Sequence, residues 1–395
     1  MWLVNPYGRV LFVEDLEVAR RKLATTCREA TEVEIQRHKA ERASVLMQWA
    51  EGENSDSIYY QTVRRSPDGY GMSRDLLKTN LFQEGCFLTE NYTKQKVGLY
   101  YNYPYGLNTL RTDVRLIYTM FESTKIPDDW AEELEVSNEI FVPSKFCQEA
   151  FKKAGFKSTV IPLGYNQDAF HYKERDLAFE VDRPFTFIHY NSFNIRKGFA
   201  EVLEAFSKEF DATEPVRLIL KTSAPATNLP LLPHLYPNIE VITGEYSEND
   251  LQALLERADC MVYPSMGEGF GITPLEAMAT GLPCITVNAH GISEYFNPNY
   301  MMGVDFKMVP ALYNRFKGQN VGEMVQADED SLRKAMRHMF MNQTEARELG
   351  KKASKYVQKY TYRETARKFA PILNGWKYKE VPKRAEGKYL EVESV

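Results

Sequence analysis

One segment of nine residues constrains the fold of this chain more than any other. It reads Glu268-Gly-Phe-Gly-Ile-Thr-Pro-Leu-Glu276, between an apolar β-prone run, Cys260–Tyr263, and a helix-forming run that stops at Gly281. This order predicts a strand, a glycine loop and a helix. A helix start offers free backbone N–H groups and the positive end of the helix dipole, and glycines let a bulky anion approach the main chain. The segment therefore predicts a phosphate-binding loop.

The two glutamates of the segment allow two interpretations. Thr273, Pro274 and Glu276 match a capping box with Thr273 at the N-cap, in which Glu276 only secures the helix start. Alternatively, Glu268 and Glu276 accept hydrogen bonds from hydroxyl groups on either side of the bound anion. Sugar, diphosphate and ribose follow one another in that order in a nucleotide sugar. The spacing alone leaves both interpretations open.

The longer string around this segment is more specific. From Tyr263 to Thr286, and on through His290-Gly-Ile-Ser-Glu294, the sequence resembles the E-x7-E signature of retaining nucleotide-sugar glycosyltransferases, specifically glycosyltransferase family 4. The resemblance extends from about Tyr59 to Leu373. It implies an α/β fold of two Rossmann-like domains that face a cleft, the arrangement called GT-B.

Composition bounds the class of protein. A chain of 395 residues predicts two domains, and a net charge of −5 argues against a protein that wraps nucleic acid non-specifically. The five cysteines are scattered without a CxxC motif or a Cys/His cluster, which predicts a reducing compartment and no structural zinc. The sequence shows no signal-peptide core and no apolar run of membrane-spanning length, so we expect a cytoplasmic protein.

Alternating β-prone and helix-forming runs predict an α/β fold with parallel sheets. Residues from about Val13 to Trp49 lack Gly and Pro and have balanced charge, which predicts an N-terminal helical extension. The resemblance implies that a final helix, residues 362–373, packs back onto the first domain. The predicted division of the chain is an extension at 1–55, an acceptor-side domain at 56–175, a nucleotide-sugar-binding domain at 184–360 and a loose polar tail at 377–395.

Two features of the first domain are candidates for the acceptor side of the cleft. A second glycine loop follows a β-prone run and precedes a helix that is predicted to start near Ser73. The carboxyl ends of parallel strands meet at one edge of a sheet, so we expect the two glycine loops to face each other. Glu122 follows another predicted strand and is a candidate polar contact, or alternatively the partner of a nearby arginine. The second glycine loop consists of Gly69, Tyr70 and Gly71.

The resemblance also implies where the diphosphate binds. Lys197, at the helix start after the predicted strand Phe185–Tyr190, would contact the phosphates and offset the charge that grows as the bond breaks. The family usually has an arginine six residues before this lysine, where this chain has Asn191. Either Arg196 supplies the second cation, or Asn191 and Ser192 donate neutral hydrogen bonds instead.

For the rest of the donor, the resemblance implies that Glu268 accepts hydrogen bonds from the sugar and that Glu276 holds the ribose hydroxyls. Tyr246 would border the base. His290 either touches the donor or is an ordinary loop histidine. The residues expected to approach the sugar and phosphates, mainly through their backbone, are Gly269, Phe270, Gly271 and Thr273.

No histidine of the first domain fits the role of a general base, so the departing phosphate would take the acceptor proton. No Asp-x-Asp motif stands at a predicted strand end, and we expect neither a metal nor a cofactor besides the donor, a UDP- or GDP-sugar. The acceptor would be a saccharide, a lipid-linked molecule or a modified nucleic acid base. Two alternatives stay open: a glycosyltransferase acting on modified bases in DNA, and a non-catalytic nucleotide-sugar-binding protein of the same fold.

Overall fold

The computed structural model describes the backbone of residues 2–4, 10–12, 28–29, 57–62, 69–192, 194–223, 237–316 and 318–381. Side chains are described over the same ranges, except for residues 2–4, 10–12, 28–29, 69–72 and 314. Within these ranges the chain forms two α/β domains, each built on a parallel sheet.

Three short strands precede the first domain: β1 (Trp2–Val4), β2 (Val10–Phe12) and β3 (Arg28–Glu29). They form an antiparallel sheet in the order β2-β1-β3. The predicted helical extension is wrong at Arg28–Glu29, where the backbone pairs with β1. Local composition does not reveal such a pairing, because the partner strand lies far earlier in the chain. The rest of the predicted helix, from Val13 to Trp49, lies outside the described residues.

The first domain is built on a parallel sheet. Its strands are β4 (Ile58–Thr62), β5 (Leu88–Thr89), β6 (Val97–Tyr101), β7 (Val114–Tyr118), β8 (Glu139–Val142) and β9 (Thr159–Val160). They lie in the order β5-β4-β6-β7-β8-β9. All residues of β6 are buried, which is why the sequence reads there as an apolar run without alternation.

The helices of the first domain are α1 (Gly69–Gln83), α2 (Trp130–Leu134) and α3 (Lys145–Lys153). Helix α3 begins after its N-cap, Ser144, whose Oγ accepts a hydrogen bond from the Cys147 N–H at 3.2 Å. The predicted glycine loop at Gly69–Gly71 is instead the first turn of α1. Glycine costs a helix only about 1 kcal/mol relative to alanine, so the rest of α1 outweighs this local preference.

The second domain repeats this plan with the strands β10 (Phe185–Tyr190), β11 (Val216–Thr222), β12 (Ile239–Thr243), β13 (Cys260–Tyr263), β14 (Cys284–Val287) and β15 (Met302–Val304). They are parallel and lie in the order β12-β11-β10-β13-β14-β15. The strand order reverses between β10 and β13, so a ligand-binding crevice is expected at the carboxyl ends of these two strands. The helices are α4 (Phe199–Glu209), α5 (Glu248–Leu255), α6 (Ile272–Ala279), α7 (Glu329–Met341) and α8 (Gln343–Tyr356).

A hairpin of the second domain reaches over to the first domain. We call it the arm, residues 306–327, with the antiparallel strands β16 (Phe306–Pro310) and β17 (Glu323–Ala327). Tyr313 of the arm stacks on Phe121 with the ring centroids 5.3 Å apart. Ser123 Oγ donates a hydrogen bond to the Val321 carbonyl oxygen at 2.6 Å. The arm therefore joins the two domains beside the end of β7.

The chain returns to the first domain at its C-terminal end. After a parallel bridge between Tyr165 and Thr361, helix α9 (Tyr362–Tyr378) packs against α1. Phe369 lies against Phe141 with the ring centroids 4.7 Å apart, and Trp376 lies buried farther along the helix. The helix continues past its predicted end at residue 373 and includes the start of the predicted tail at residue 377. The burial of Trp376 explains why the helix continues past residue 373.

Candidate active site between the two domains

A cavity of about 520 Å³ lies between the two domains. Its wall is formed by segments that follow β6, β7, β9, β10, β11, β12 and β13, together with residues of α1, α5, α6 and α9. The sequence-predicted residues that line it are Asn191, Ser192, Arg196, Lys197, Tyr246, Glu268, Gly269, Phe270, Gly271, Thr273, Glu276 and Glu122. For Gly69, Tyr70 and Gly71 the structure describes only the backbone, in the first turn of α1, and their acceptor-side role stays a prediction.

The glycine loop after β13 packs directly on the first domain. A Cβ at Gly267 would lie 2.2 Å from the carbonyl oxygen of Glu122, and a Cβ at Gly269 would lie 2.8 Å from the side chain of Met120. Ser144 Oγ donates a hydrogen bond to the carbonyl oxygen of Gly269 at 2.7 Å. The two domains therefore touch where the loop has no side chains, and this contact requires glycine at both positions.

Helix α6 begins two residues earlier than a Thr273 N-cap would allow. Gly271 is the N-cap, in the left-handed conformation with a φ of 85°, which glycine adopts without strain. The predicted capping box is therefore wrong, and Glu276 instead lines the cavity and accepts a hydrogen bond from the Tyr190 hydroxyl. Burial raises the pKa of Glu276 to about 7, and this hydrogen bond opposes the shift.

Charged side chains from both domains meet beside the glycine loop. Lys197 Nζ lies 2.7 Å from Glu268 Oε1, and Arg196 Nη1 lies 3.5 Å from Glu268 Oε2. Arg196 Nη2 also lies 3.5 Å from Glu122 Oε1, across the boundary between the domains. We call Lys197, Arg196, Glu268 and Glu122 the ion cluster. It places two cations next to the backbone amides of the loop.

Glu268 is held as an ionised carboxylate. Burial opposes its ionisation, but the charges of Lys197 and Arg196 keep its pKa well below the ordinary value. The hydroxyl groups of Tyr263 and Ser265 each donate a hydrogen bond to Glu268 Oε1 at 2.8 Å. Burial in turn lowers the pKa of Lys197, an effect that Glu268 opposes.

A 3₁₀ turn, Ile195–Lys197, carries both cations to the carboxyl end of β10. The Asn194 side chain caps the turn by accepting a hydrogen bond from the Arg196 N–H at 3.0 Å. Gly198 ends the turn with a φ of 77°, and a Cβ there would lie 2.7 Å from the Pro264 carbonyl oxygen. The turn therefore packs directly on the segment that follows β13.

Asn191 bonds to other protein groups, which favours Arg196 as the second cation. Its amide nitrogen donates a hydrogen bond to the Tyr263 hydroxyl at 2.7 Å, and its amide oxygen accepts one from the Ser192 N–H at 2.9 Å. Tyr263 is also a hydrogen-bond donor to Glu268. Asn191 thus acts on the carboxylate through Tyr263.

The other end of the cavity is lined by an aromatic ring and a lysine. Lys221 Nζ lies 4.5 Å from the centroid of the Tyr246 ring and donates a hydrogen bond to the Gly244 carbonyl oxygen at 2.6 Å. Glu248, at the start of α5, accepts a hydrogen bond from Asn166 Nδ2 at 2.6 Å. This end offers a flat ring and hydrogen-bonding groups, as a nucleobase requires.

His290 and Glu294 of the signature support the loop from behind. His290 Nε2 lies 2.8 Å from the Ser265 carbonyl oxygen, and the residue has a φ of 42°, which is uncommon for a side chain other than glycine. Burial lowers the pKa of His290 to about 4. Glu294 accepts a hydrogen bond from the Lys145 N–H of α3 at 2.9 Å. His290 is therefore a buried residue at the start of a 3₁₀ turn, His290–Glu294, and Glu294 joins the domains.

Sequence analysis did not predict a role for several residues of the cavity wall. Tyr190 and Tyr263 carried a usable signal, because each is an aromatic residue with a polar tip at the end of a buried strand that precedes a predicted loop. The others lie in segments without a motif. They include Ser73, Leu76, Tyr103, Met120, Leu163, Asn166 and Tyr362.

The arrangement can bind an anion and polar hydroxyl groups side by side. The amides at the start of α6, together with Lys197 and Arg196, suit a diphosphate. Among the described residues, no group of His, Cys, Asp or Glu is placed to hold a metal ion. No helix within the described ranges is both long enough and apolar enough to cross a membrane.

Part of the second domain matches a known protein family. Residues 173–307 match the family model described as glycosyl transferases group 1. The chain is 36% identical to N-acetyl-alpha-D-glucosaminyl L-malate synthase of Bacillus anthracis over 112 residues. This matched segment covers 27% of this chain and 28% of that protein. Over 163 residues the chain is 26% identical to a GDP-mannose-dependent alpha-(1-6)-phosphatidylinositol dimannoside mannosyltransferase of Mycobacterium tuberculosis, covering 38% and 40% of the two chains. The chain thus spans half or less of the length of the curated relatives it matches.

Solved structures share the whole two-domain architecture. Sucrose-phosphate synthase from Thermosynechococcus elongatus superposes with a TM-score of 0.64 at 15% identity, over 81% of this chain and 99% of that chain. HepE from Anabaena, in complex with UDP-glucose, superposes with a TM-score of 0.61 at 12% identity, over 81% and 99%. At these identities the likeness shows the fold, two Rossmann-like α/β domains. The sequence match to the glycosyl transferases group 1 model lies in the second domain, and the solved structures share the two-domain fold.

Proposed function

We propose that the protein is a retaining glycosyltransferase, which moves a sugar from a nucleotide-diphosphate sugar to an acceptor hydroxyl. One observation carries the proposal. A single cavity brings together the cations Lys197 and Arg196, the loop Gly269–Gly271 at a helix start, and the carboxyl groups of Glu268 and Glu276. Each of these groups suits one part of a nucleotide sugar.

The diphosphate lies against the glycine loop and the start of α6. There Lys197, Arg196 and the backbone amides stabilise the negative charge that grows on the phosphate as its bond to the anomeric carbon breaks. Glu268 accepts hydrogen bonds from the sugar hydroxyls, and Glu276 accepts them from the ribose. Tyr246 borders the base.

The proton of the acceptor needs a destination. In the proposed reaction the oxygen of the departing phosphate takes this proton while the acceptor oxygen forms its bond to the anomeric carbon. The charge on the phosphate is thereby partly neutralised, and no side chain has to act as a strong base. The acceptor enters from the first-domain side of the cavity, where Tyr103, Met120 and Glu122 form the wall.

The names of similar proteins define the range of donors to test. The Mycobacterium tuberculosis relative is named as GDP-mannose-dependent, and HepE was solved with UDP-glucose. We therefore propose a UDP- or GDP-sugar as the donor, with no further cofactor. A saccharide, a lipid-linked molecule and a modified nucleic acid base stay candidate acceptors, and the cytoplasmic location stays a prediction.

The first test is a binding and turnover screen of the purified chain with UDP- and GDP-sugars. A ligand that binds only the folded state raises its melting temperature. Lys197→Ala and Glu276→Ala should each weaken nucleotide binding, whereas Glu268→Ala should bind the nucleoside diphosphate and lose turnover by about 100-fold or more. Lys208→Ala is the matched control, because it removes an exposed lysine that pairs with Glu204 and Glu329 outside the cavity.

The outcomes separate the competing functions. Binding without transfer or donor hydrolysis would identify the non-catalytic nucleotide-sugar-binding protein. Transfer only to DNA that contains modified bases would select the second enzymatic alternative. An inverted anomeric configuration in the product, determined by NMR, would contradict retention. Absence of stabilisation by every nucleotide and nucleotide sugar would refute the proposed function.

A further inference from the structure

The cations that would hold the diphosphate are already matched by carboxylates. In the ion cluster Lys197 pairs with Glu268, and Arg196 lies 3.5 Å from both Glu268 and Glu122. The four side chains are between 8% and 14% exposed, so solvent screens these charges weakly. With two positive and two negative groups, the formal charge of the cluster is zero.

The wider cavity does not supply additional positive charge. Among the described residues of its wall, Lys221 is the one cation outside the ion cluster, and it stands with the carboxyl groups of Glu245, Glu248 and Glu276. A cavity that binds a diphosphate would ordinarily be expected to carry a net positive charge. The two carboxylates of the ion cluster therefore need separate explanations.

Glu268 has an explanation in the proposed function, since it accepts hydrogen bonds from the sugar. Glu122 lines the acceptor side of the cavity and has no assigned contact with the donor, yet it is fixed in place. Its two carboxylate oxygens accept hydrogen bonds from the hydroxyl groups of Tyr103 at 3.4 Å and of Tyr313 at 3.2 Å. Its carbonyl oxygen packs against Gly267, so the residue has little room to move. Glu122 thus remains beside Arg196 when a diphosphate arrives.

The product of the proposed reaction is harder to release than the donor. When the sugar leaves, the terminal phosphate gains an ionisable oxygen, and once the proton taken from the acceptor has dissociated, the nucleoside diphosphate is more negative than the nucleotide sugar. Two uncompensated cations would hold this product more tightly than the donor. A fixed carboxylate beside Arg196 reduces the attraction most for the more highly charged ligand.

We propose that the fixed negative charge of Glu122 weakens the hold of Arg196 on the nucleoside diphosphate, so that the product is released after transfer. The inference rests on the proposed function. The arm takes part in this role, because Tyr313 belongs to the arm and holds one oxygen of the carboxylate. The arm lies mainly outside the residues that match the family model, which end at 307.

The test is isothermal titration of UDP and of GDP into the purified full chain and its Glu122→Gln variant. Removal of the charge should lower the dissociation constant of the bound nucleoside diphosphate by about three- to tenfold. The effect on the intact nucleotide sugar should be smaller, so inhibition by product should strengthen. If Glu122 served only to hold Arg196 in position, its substitution would misplace Arg196, and both ligands would bind less tightly.

Two further variants keep this test decisive. Glu149→Gln makes the same change of charge at an exposed position of α3 and should alter affinity by less than about twofold. Glu122→Ala removes the same charge but does not place an amide between the hydroxyl groups of Tyr103 and Tyr313. If Glu122→Gln does not fold, Glu122→Ala must lower the dissociation constant of the nucleoside diphosphate in its place. Nucleoside diphosphate binding that is unchanged or weaker in the Glu122 variants overturns this inference alone. Failure of the wild-type chain to bind either nucleotide overturns the proposed function, and this inference with it.

Discussion

At the scale of a single residue, Glu276 is a carboxyl group whose ionisation the folded protein opposes. It is buried at the start of α6 and accepts a hydrogen bond from Tyr190, while the nearby carboxyl group of Glu248 adds an unfavourable charge. Burial is the largest effect and raises the pKa of Glu276 to about 7 from an ordinary value of 4.5. Folding and proton binding are therefore linked at this residue.

The linkage predicts how stability changes with pH. Between about pH 4.5 and pH 7 the folded state retains a proton on Glu276 that the unfolded state has released, so the free energy of unfolding falls as the pH rises. This residue contributes about 3 kcal/mol to the fall, because its pKa is about 7 in the folded state and 4.5 ordinarily. Urea denaturation of the wild type and of Glu276→Gln at pH 5 and pH 8 measures it. The wild type should lose more stability than the variant over this interval, and equal losses would contradict the prediction.

The same scale shows what sequence analysis could and could not reach. Glu268, Lys197 and the glycine loop were predicted because strand ends, glycines and helix starts are patterns of neighbouring residues. The contact between Tyr190 and Glu276 was not predicted, because the fold brings these distant segments together. Glu122 was predicted as a possible partner of a nearby arginine, and the structure identifies that arginine as Arg196. A resemblance between sequences identifies the charged residues, but it does not identify the hydrogen bonds that shift their pKa values.

At the scale of a structural element, the turn Ile195–Lys197 depends on the glycine that ends it. Gly198 and Gly155 both have a positive φ, of 77° and 90°, so alanine at either position costs about 1–2 kcal/mol of backbone strain. They differ in their surroundings. A Cβ at Gly198 would lie 2.7 Å from a carbonyl oxygen, whereas no described atom lies within 4 Å of a Cβ at Gly155.

This pair of glycines separates backbone strain from close packing. Gly155→Ala should lower stability by about 1–2 kcal/mol and leave nucleotide affinity unchanged. Gly198→Ala should lower stability further and also weaken nucleotide binding, because the turn that carries Lys197 has to move away from Pro264. Thermal denaturation and titration with the nucleotide provide both readouts. Equal stability and equal affinity in the two variants would show that the turn tolerates a side chain.

Elements differed in how well sequence analysis predicted them. The strands Phe185–Tyr190 and Cys260–Tyr263 were predicted accurately, because parallel strands covered on both faces read as short apolar runs. The start of α6 was misplaced, since the Thr-Pro-Leu-Glu pattern imitates a capping box while Gly271 supplies the real cap. The arm was missed. Its strand β16 is largely exposed, and what holds the arm in place is contact with Phe121 and Ser123 of the other domain.

At the scale of the whole molecule, the first domain is completed by the last described helix. Phe369 of α9 is fully buried between Phe141 and Tyr118, with ring centroids 4.7 Å and 5.8 Å away. Near the end of the same helix, Trp376 Nε1 donates a hydrogen bond to Glu139 Oε2 at 2.5 Å. The stability of the first sheet therefore depends on residues that follow the second domain.

Two aromatic residues of α9 test this dependence. Phe369→Ala should lower the free energy of unfolding by about 3–5 kcal/mol, because it leaves a cavity against the first sheet. Tyr378→Ala, at a position that is 78% exposed on the same helix, should change it by no more than about 0.5 kcal/mol. Chemical denaturation followed by the fluorescence of Trp130, which is buried in the first domain, gives the comparison. A small effect of Phe369→Ala would mean that the first domain does not rely on α9.

The position of α9 also sets an order of events during synthesis. The N-terminus of a chain leaves the ribosome first, and domains generally fold as units as they emerge. The second sheet is formed from one uninterrupted stretch and can assemble as soon as that stretch has left the exit tunnel. The first sheet, although translated earlier, waits for residues 362–378 before its hydrophobic surface is covered. The half of the protein that is made first is thus the half that is finished last, and in the interval its exposed hydrophobic surface makes it prone to aggregation.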